Sequence, residues 1–149
     1  GEIRVKGPHM MMEYEGNIKE TKTTIRNGFI YTGDIGLLDS NGFLSITDRK
    51  KDVIFVKGFN VFPREIEEQL MSLSNISAVC VVGKQDCRSG ETPVAFITLK
   101  TNIDISVIKK YCEDTMLPYK VPSEFIVLEN LPLTPAKKVD RVALKDRLV

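Results

Sequence analysis

The residues that could do chemistry concentrate between positions 47 and 67. There Asp48 is followed by Arg49, Lys50, Lys51 and Asp52, and an apolar alternation then runs through Lys57-Gly58 to Pro63 and Glu65. Unpaired charges are costly to bury at a strand start, so this knot either faces water or holds something charged. Asp34, beside Gly33, has two readings: a turn residue bonding its own backbone, or an acceptor presented to a ligand's hydroxyl groups. Lys57-Gly58 separates two short apolar runs, which makes a ribbon with a basic tip and a glycine suited to a positive φ. Metal chemistry finds no support. Cys80, Cys87 and Cys112 lie seven and then twenty-five positions apart, matching no zinc spacing, and His9 is the only histidine.

These residues need a scaffold. The 149-residue chain is 42% hydrophobic and 28% charged, which describes one globular domain or two small ones. Its 21 basic residues against 20 acidic ones leave no cationic surplus of the kind that nucleic acid or an anionic membrane selects, so nucleic acid is not an expected partner. No apolar run approaches the ~18 residues of a membrane span, and no basic-then-apolar leader opens the chain. An odd cysteine count suits a reducing compartment, hence a cytoplasmic protein with core or idle thiols. The abrupt start at Gly1-Glu2-Ile3, already strand-like, suggests a piece of something longer.

Periodicity supplies the elements. Ile3 and Val5 alternate ahead of Gly7-Pro8 as in a half-buried strand, and residues 13–25 read as a polar connection with a short helix. Asn27-Gly28 and Asp39-Ser40-Asn41-Gly42 are tight-turn signals that frame 28–47 as a β-meander, interrupted at Gly33-Asp34. Behind the ribbon, Pro63 fits the first turn of a helix, with Glu65, Glu67 and Glu68 in its N-terminal half and Ile66, Leu70 and Leu73 on one face. Then follow a buried strand over 76–82, a polar loop over 83–90 and a strand over 93–99. A helix over 104–113 capped by Asp104, a strand over 124–128 and a charged helix over 139–148 complete the chain. The expected class is α+β.

Four separated segments resemble motifs of the AMP-forming acid–CoA ligase (acyl-CoA synthetase) family of adenylate-forming enzymes. Gly1-Glu2-Ile3 with Gly7-Pro8 resembles its Gly-Glu-Ile/Leu … Gly-Pro strand, and Tyr31-Thr32-Gly33-Asp34 its aromatic-x-Thr-Gly-Asp motif. Residues 47–67 resemble its hinge-region motif almost residue for residue. The run from Leu131-Pro132 through Lys137-Lys138 to Asp140-Arg141 resembles its closing Leu-Pro-x-Thr-x-x-Gly-Lys-x-x-Arg. The resemblance implies that residues 1–50 are the β-rich end of a larger N-terminal, AMP-binding domain. Residues 51–149 would be the mobile C-terminal domain, a short antiparallel sheet with about three helices and the two-stranded ribbon.

It also implies roles. Asp34 would accept hydrogen bonds from the ribose hydroxyls of ATP and the acyl-adenylate, with Arg49 against the same ribose. Lys51 would be the hinge, Lys138 the catalytic cation at the α-phosphate, and Gly58 with Lys57 the part of the ribbon that meets CoA. The implied substrates are a small-molecule carboxylic acid, ATP with Mg²⁺, and CoA, with Mg²⁺ held mainly outside this chain. A carrier-protein-loading adenylation domain and a non-catalytic interaction module are the alternatives. The family's Ser/Thr/Gly-rich phosphate loop is absent from the sequence, so the chain alone is not expected to run the reaction. Two departures stand out: Lys137 occupies the position of the usual glycine, and Phe55 stands where some aryl-acid ligases carry a lysine.

Overall fold

The computed structural model describes residues 1–148, which divide into two compact units, one ending at Lys51 and the other beginning at Asp52. In the first, β1 (Glu2–Val5), β2 (Ile25–Arg26) and β4 (Leu44–Arg49) all pair antiparallel with the long strand β3 (Phe29–Leu38). The helix α1 (Ile18–Thr24) precedes β2 and is capped by Asn17, whose side chain accepts from the Glu20 N–H at 3.0 Å. Asn27 and Gly28 both have positive φ, at 53° and 74°, which is what the turn between β2 and β3 requires. Gly36 is needed for space: a Cβ there would lie 2.9 Å from Ile3 Cδ1 and from the Ser45 carbonyl oxygen.

β3 runs unbroken through Gly33 and Asp34, where the sequence suggests an interruption. The glycine takes φ 75° and the register with β1 shifts across it, from Glu2 opposite Ile35 to Arg4 opposite Tyr31, so the irregularity is absorbed as a bulge without ending the strand.

The second unit is built on a sheet covered on both faces. The ribbon β5 (Ile54–Val56) and β6 (Phe59–Val61) leads into α2 (Pro63–Met71), with Pro63 in the first helical turn as expected. β7 (Ile76–Asp86) and β8 (Gly90–Leu99) form a long antiparallel hairpin, α3 (Ile105–Thr115) follows, and β9 (Glu124–Val127) joins the other edge of β8 in parallel. α4 (Arg141–Asp146) is capped by Asp140. The α+β class stands, with three helices, a sheet and a ribbon after residue 52. The polar loop expected over 83–90 is a correction: Lys84, Gln85 and Asp86 pair with Thr92, Glu91 and Gly90, leaving only 87–89 as the turn. The hairpin outruns the core, so its outer rungs are polar and do not read as strand.

Alternation along the hairpin sorts the core into two layers. Val81, Ala95 and Ile97 pack with Ile54, Ile66, Leu70, Ile108 and Cys112, beneath α2 and α3. Cys80, Val82, Val94 and Phe96 face the opposite way, onto Leu131 and Leu144 of α4. Burial on both faces explains the near-continuous apolar runs in β7 and β8.

One charged cluster fastens α4 to this sheet. Arg141 donates through Nη1 to the Val81 carbonyl and through Nη2 to Glu67 Oε1, both at 2.7 Å. Glu67 Oε1 also accepts the Val81 N–H at 2.8 Å, and Asp52 Oδ2 lies 3.9 Å from Arg141 Nε.

Two outcomes test this account. Burial pushes the Cys80 thiol up to about 12 and that of Cys112 to about 11, whereas Cys87 is exposed at the hairpin turn. Iodoacetamide at pH 8 should therefore modify one thiol, Cys87, in the folded chain and all three after denaturation; mass spectrometry finding Cys80 or Cys112 labelled as fast as Cys87 would contradict the packing. Arg141→Ala should cost about 2–4 kcal/mol in urea unfolding, at the low side of a buried pair because the Arg141 side chain is 27% exposed. A loss below about 0.5 kcal/mol, the size of an exposed pair, would show that the cluster does not fasten α4.

Candidate functional site

Asp34 and Arg49 face one another across the β3–β4 ladder, as register partners, and Arg49 Nε lies 3.2 Å from Asp34 Oδ1. The two residues that the family resemblance assigns to one ribose thus lie side by side. The Thr32 hydroxyl fixes the bend before Asp34: it donates to the Ile3 carbonyl at 3.0 Å and accepts the Asp34 N–H at 3.1 Å. A groove of about 810 Å³ opens in this unit, lined by Tyr31, Gly33, Arg49, Lys50 and Lys51 among others.

The charged knot resolves into separate contacts. Lys50 donates to Glu2 Oε2 at 2.8 Å, and this bond holds the Glu2 carboxyl below its ordinary value. Arg49 takes Asp34, and Asp52 turns toward Arg141. Lys51 sits in a 3-10 turn, Lys50–Asp52, and has no ion-pair partner among the described residues.

The ribbon turn is left-handed at both central positions, with Lys57 at φ 50° and Gly58 at φ 84°. That is the two-residue hairpin geometry for which Gly is favoured, and Lys57 adopts it without that freedom. A Cβ on Gly58 would meet no protein atom within 4 Å, so the glycine is required by conformation and the space beside it is open. The ribbon is held from two sides. The Lys57 N–H donates to the Ser89 carbonyl at 2.8 Å, and the Phe59 ring stacks on Tyr119 with centroids 4.5 Å apart and planes 10° from parallel.

Lys138 lies on a different turn of the second unit. Leu133 bridges Val139, Thr134 N–H donates to the Lys138 carbonyl at 2.7 Å, and Lys137 N–H donates to the Thr134 carbonyl at 2.8 Å. This is a three-residue hairpin loop with a left-handed residue at its end, and that residue is Lys137, at φ 58°. The lysine in the usual glycine position therefore adopts the glycine-like conformation, and the loop closes around it. Lys138 is exposed, and among the described residues its ammonium has no carboxylate partner.

Sequence reasoning did not assign roles to Glu67, Glu91 or Arg141. Glu67 and Arg141 end two of the four motifs, so a signal existed, but their meeting across the 74 positions between them is visible only in three dimensions. Glu91 belongs to no motif; its carboxylate accepts the Phe55 N–H at 2.8 Å.

Against known proteins, residues 65–138 match the family model of the AMP-binding enzyme C-terminal domain. The chain is 39% identical over 147 residues to a 2-succinylbenzoate–CoA ligase of Listeria innocua, covering 99% of this chain and 32% of the relative. It is 40% identical over 143 residues to a long-chain-fatty-acid–CoA ligase of Bacillus subtilis, covering 95% and 26%. Among solved structures, the o-succinylbenzoate CoA synthetase of Bacillus subtilis in complex with its acyl-adenylate superposes with a TM-score of 0.90 at 36% identity, over 98% of this chain and 30% of that one. The amide bond synthetase of Marinactinospora thermotolerans also reaches 0.90, at 31% identity over 99% and 30%. The chain spans about a third of the length of the first of these curated relatives. It carries the C-terminal domain of the AMP-binding enzyme family.

Proposed function

We propose that the protein carrying this chain is an AMP-forming acid–thiol ligase. A carboxylate attacks the α-phosphorus of ATP, pyrophosphate leaves, and the thiol of CoA then attacks the acyl carbon of the adenylate and releases AMP. The observation that carries this reading is Lys138, an exposed cation with no carboxylate partner on a closed hairpin in the register of the family's catalytic lysine. Carboxylate attack on phosphorus brings two anions together, and a cation that no protein carboxylate already neutralises stabilises the charge that builds there. Lysine suits the task as a mobile point charge on a long stem.

The remaining residues take supporting roles. Asp34 accepts from the ribose hydroxyls, and a carboxylate has acceptor sites beyond the one that faces Arg49. Lys51 is the pivot; its support is that the compact units divide immediately after it. Lys57 and Gly58 form the ribbon tip beside which the pantetheine arm passes, into space that a Cβ on Gly58 would narrow. Mg²⁺ would be held by the nucleotide phosphates and by groups outside this chain, and would supply charge neutralisation there. The acid is a small molecule, and relatives named for succinylbenzoate and for long-chain fatty acids share this chain's residues about equally. An acceptor other than CoA is the alternative with an observation behind it, because the amide bond synthetase structure superposes equally well. Measuring thioester formation with CoA against amide formation with an added amine separates the two.

Two variants probe the lysine hairpin. Lys138→Ala should slow ATP–pyrophosphate exchange by about 10²–10³-fold while thioester formation from supplied acyl-adenylate stays within a few-fold; equal losses in both would remove the catalytic role. Lys137→Gly relieves a left-handed lysine and should leave the chain about 0.5–1 kcal/mol more stable to urea. Destabilisation of that size would mean that the Lys137 side chain makes a compensating contact.

A further inference from the structure

The ribbon that carries Lys57 and Gly58 is short, three residues a side, and a two-stranded ribbon of that length does not hold its own orientation in water. Ile54, Val56 and Val61 bury its inner face in the core, but its backbone attachment to the sheet is short. β5 meets β8 at one backbone register position, Val56 opposite Gly90, after which β9 takes over that edge of β8 from Val94. Two further rungs flank this one. On the tip side the Lys57 N–H donates to the Ser89 carbonyl at 2.8 Å. On the other side no backbone carbonyl serves, and the Phe55 N–H donates to Glu91 Oε2 at 2.8 Å. The side chain of Glu91 thus extends the ladder by one rung.

Everything around that rung is arranged for close approach. Gly90 has φ 80°, and a Cβ there would come within 3.3 Å of the Phe55 carbonyl oxygen. Asp86 Oδ1 accepts from the Arg88 N–H at 3.0 Å, the Ser89 N–H at 2.7 Å and the Ser89 hydroxyl at 2.5 Å, which fixes the turn that offers the Ser89 carbonyl. These bonds hold the Asp86 carboxyl below its ordinary value. Gln85 Nε2 donates to Glu91 Oε1 at 3.3 Å and steadies the carboxylate from its other oxygen.

We propose that Glu91 is a positioning residue for thiol transfer: its carboxylate pins the ribbon to the edge of β8 and so sets where the Lys57-Gly58 turn is delivered. Glu91 lies outside the four motifs and touches no reacting atom in this account. It acts through the Phe55 N–H on the one part of the chain assigned to the second half-reaction and leaves the Lys138 hairpin alone. The proposal rests on the acid–thiol ligase reading.

The test uses the protein that carries this chain. Glu91→Ala should slow thioester formation from pre-formed acyl-adenylate on the order of tenfold and raise the KM for CoA, with ATP–pyrophosphate exchange unchanged. Glu91→Gln keeps an acceptor oxygen and should restore the thioester rate. In the alanine variant, amide exchange at Phe55 and Lys57 should quicken while that at Ile108 and Leu144 does not. Equal losses in both half-reactions, a glutamine variant as slow as the alanine one, or an unchanged thioester rate would overturn the positioning role. A wild-type protein without pyrophosphate exchange would overturn the ligase reading itself, and this proposal with it.

Discussion

The arrangement of the second unit depends on the guanidinium of Arg141. It reaches under the sheet, donates to the Val81 carbonyl and to Glu67, and stands beside Asp52, so that α4, β7, α2 and the segment entering the ribbon meet at one charge. The same Glu67 oxygen accepts the Val81 N–H, which commits the carboxylate twice over. A planar five-donor group can serve a carbonyl and a carboxylate at once; an ammonium in that place would have neither the reach nor the geometry. Because Arg141 follows Lys138 by three residues, whatever fixes Arg141 also limits where the lysine hairpin can go.

Backbone strain is concentrated in the same parts of the chain. Among the described residues, Asn27, Lys57 and Lys137 are the non-glycine positions with positive φ. Asn27 is a favoured occupant of such a turn, but the two lysines are not, and each adjoins a residue assigned to chemistry, Gly58 or Lys138. Left-handed conformation at a lysine persists only where surrounding bonds enforce it. Ser89 supplies that bond to Lys57, and the backbone bonds from the Thr134 N–H to the Lys138 carbonyl and from the Lys137 N–H to the Thr134 carbonyl close the other turn.

Local features were legible in the sequence, and non-local ones were not. Pro63, Ile66 and Leu70 announced α2, Asp104 announced its cap on α3, and Asn27-Gly28 and Lys57-Gly58 announced their turns, because each signal lies within a few residues of its effect. Lys84 to Asp86 misled, since their pairing with Gly90 to Thr92 continues past the core and no apolar alternation marks it. The parallel docking of β9 on β8 and the use of Glu91 as a substitute carbonyl depend on which edge remains open after folding, and composition carries no trace of that. The four motifs singled out Asp34, Arg49 and Lys138 as candidates. The facing of Asp34 and Arg49 across the ladder followed only once the register shift beyond Gly33 was known.

The distribution of cations draws these points together. Lys50, Lys120 and Arg141 each face a carboxylate, and these pairs link separate elements of the fold. Lys51, Lys57 and Lys138 have no carboxylate partner among the described residues, and all three sit on turns. A cation already neutralised by a carboxylate has little field left for a developing negative charge, and freeing it would cost the pair's own interaction. A partnerless lysine in solvent carries no such penalty, but its long side chain wanders and its placement is poor. Putting it on a backbone turn closed by hydrogen bonds restores placement through the main chain and leaves the charge uncommitted. The strain at Lys57 and Lys137 is then a cost of tight turns that keep the cations beside or within them both positioned and unpaired.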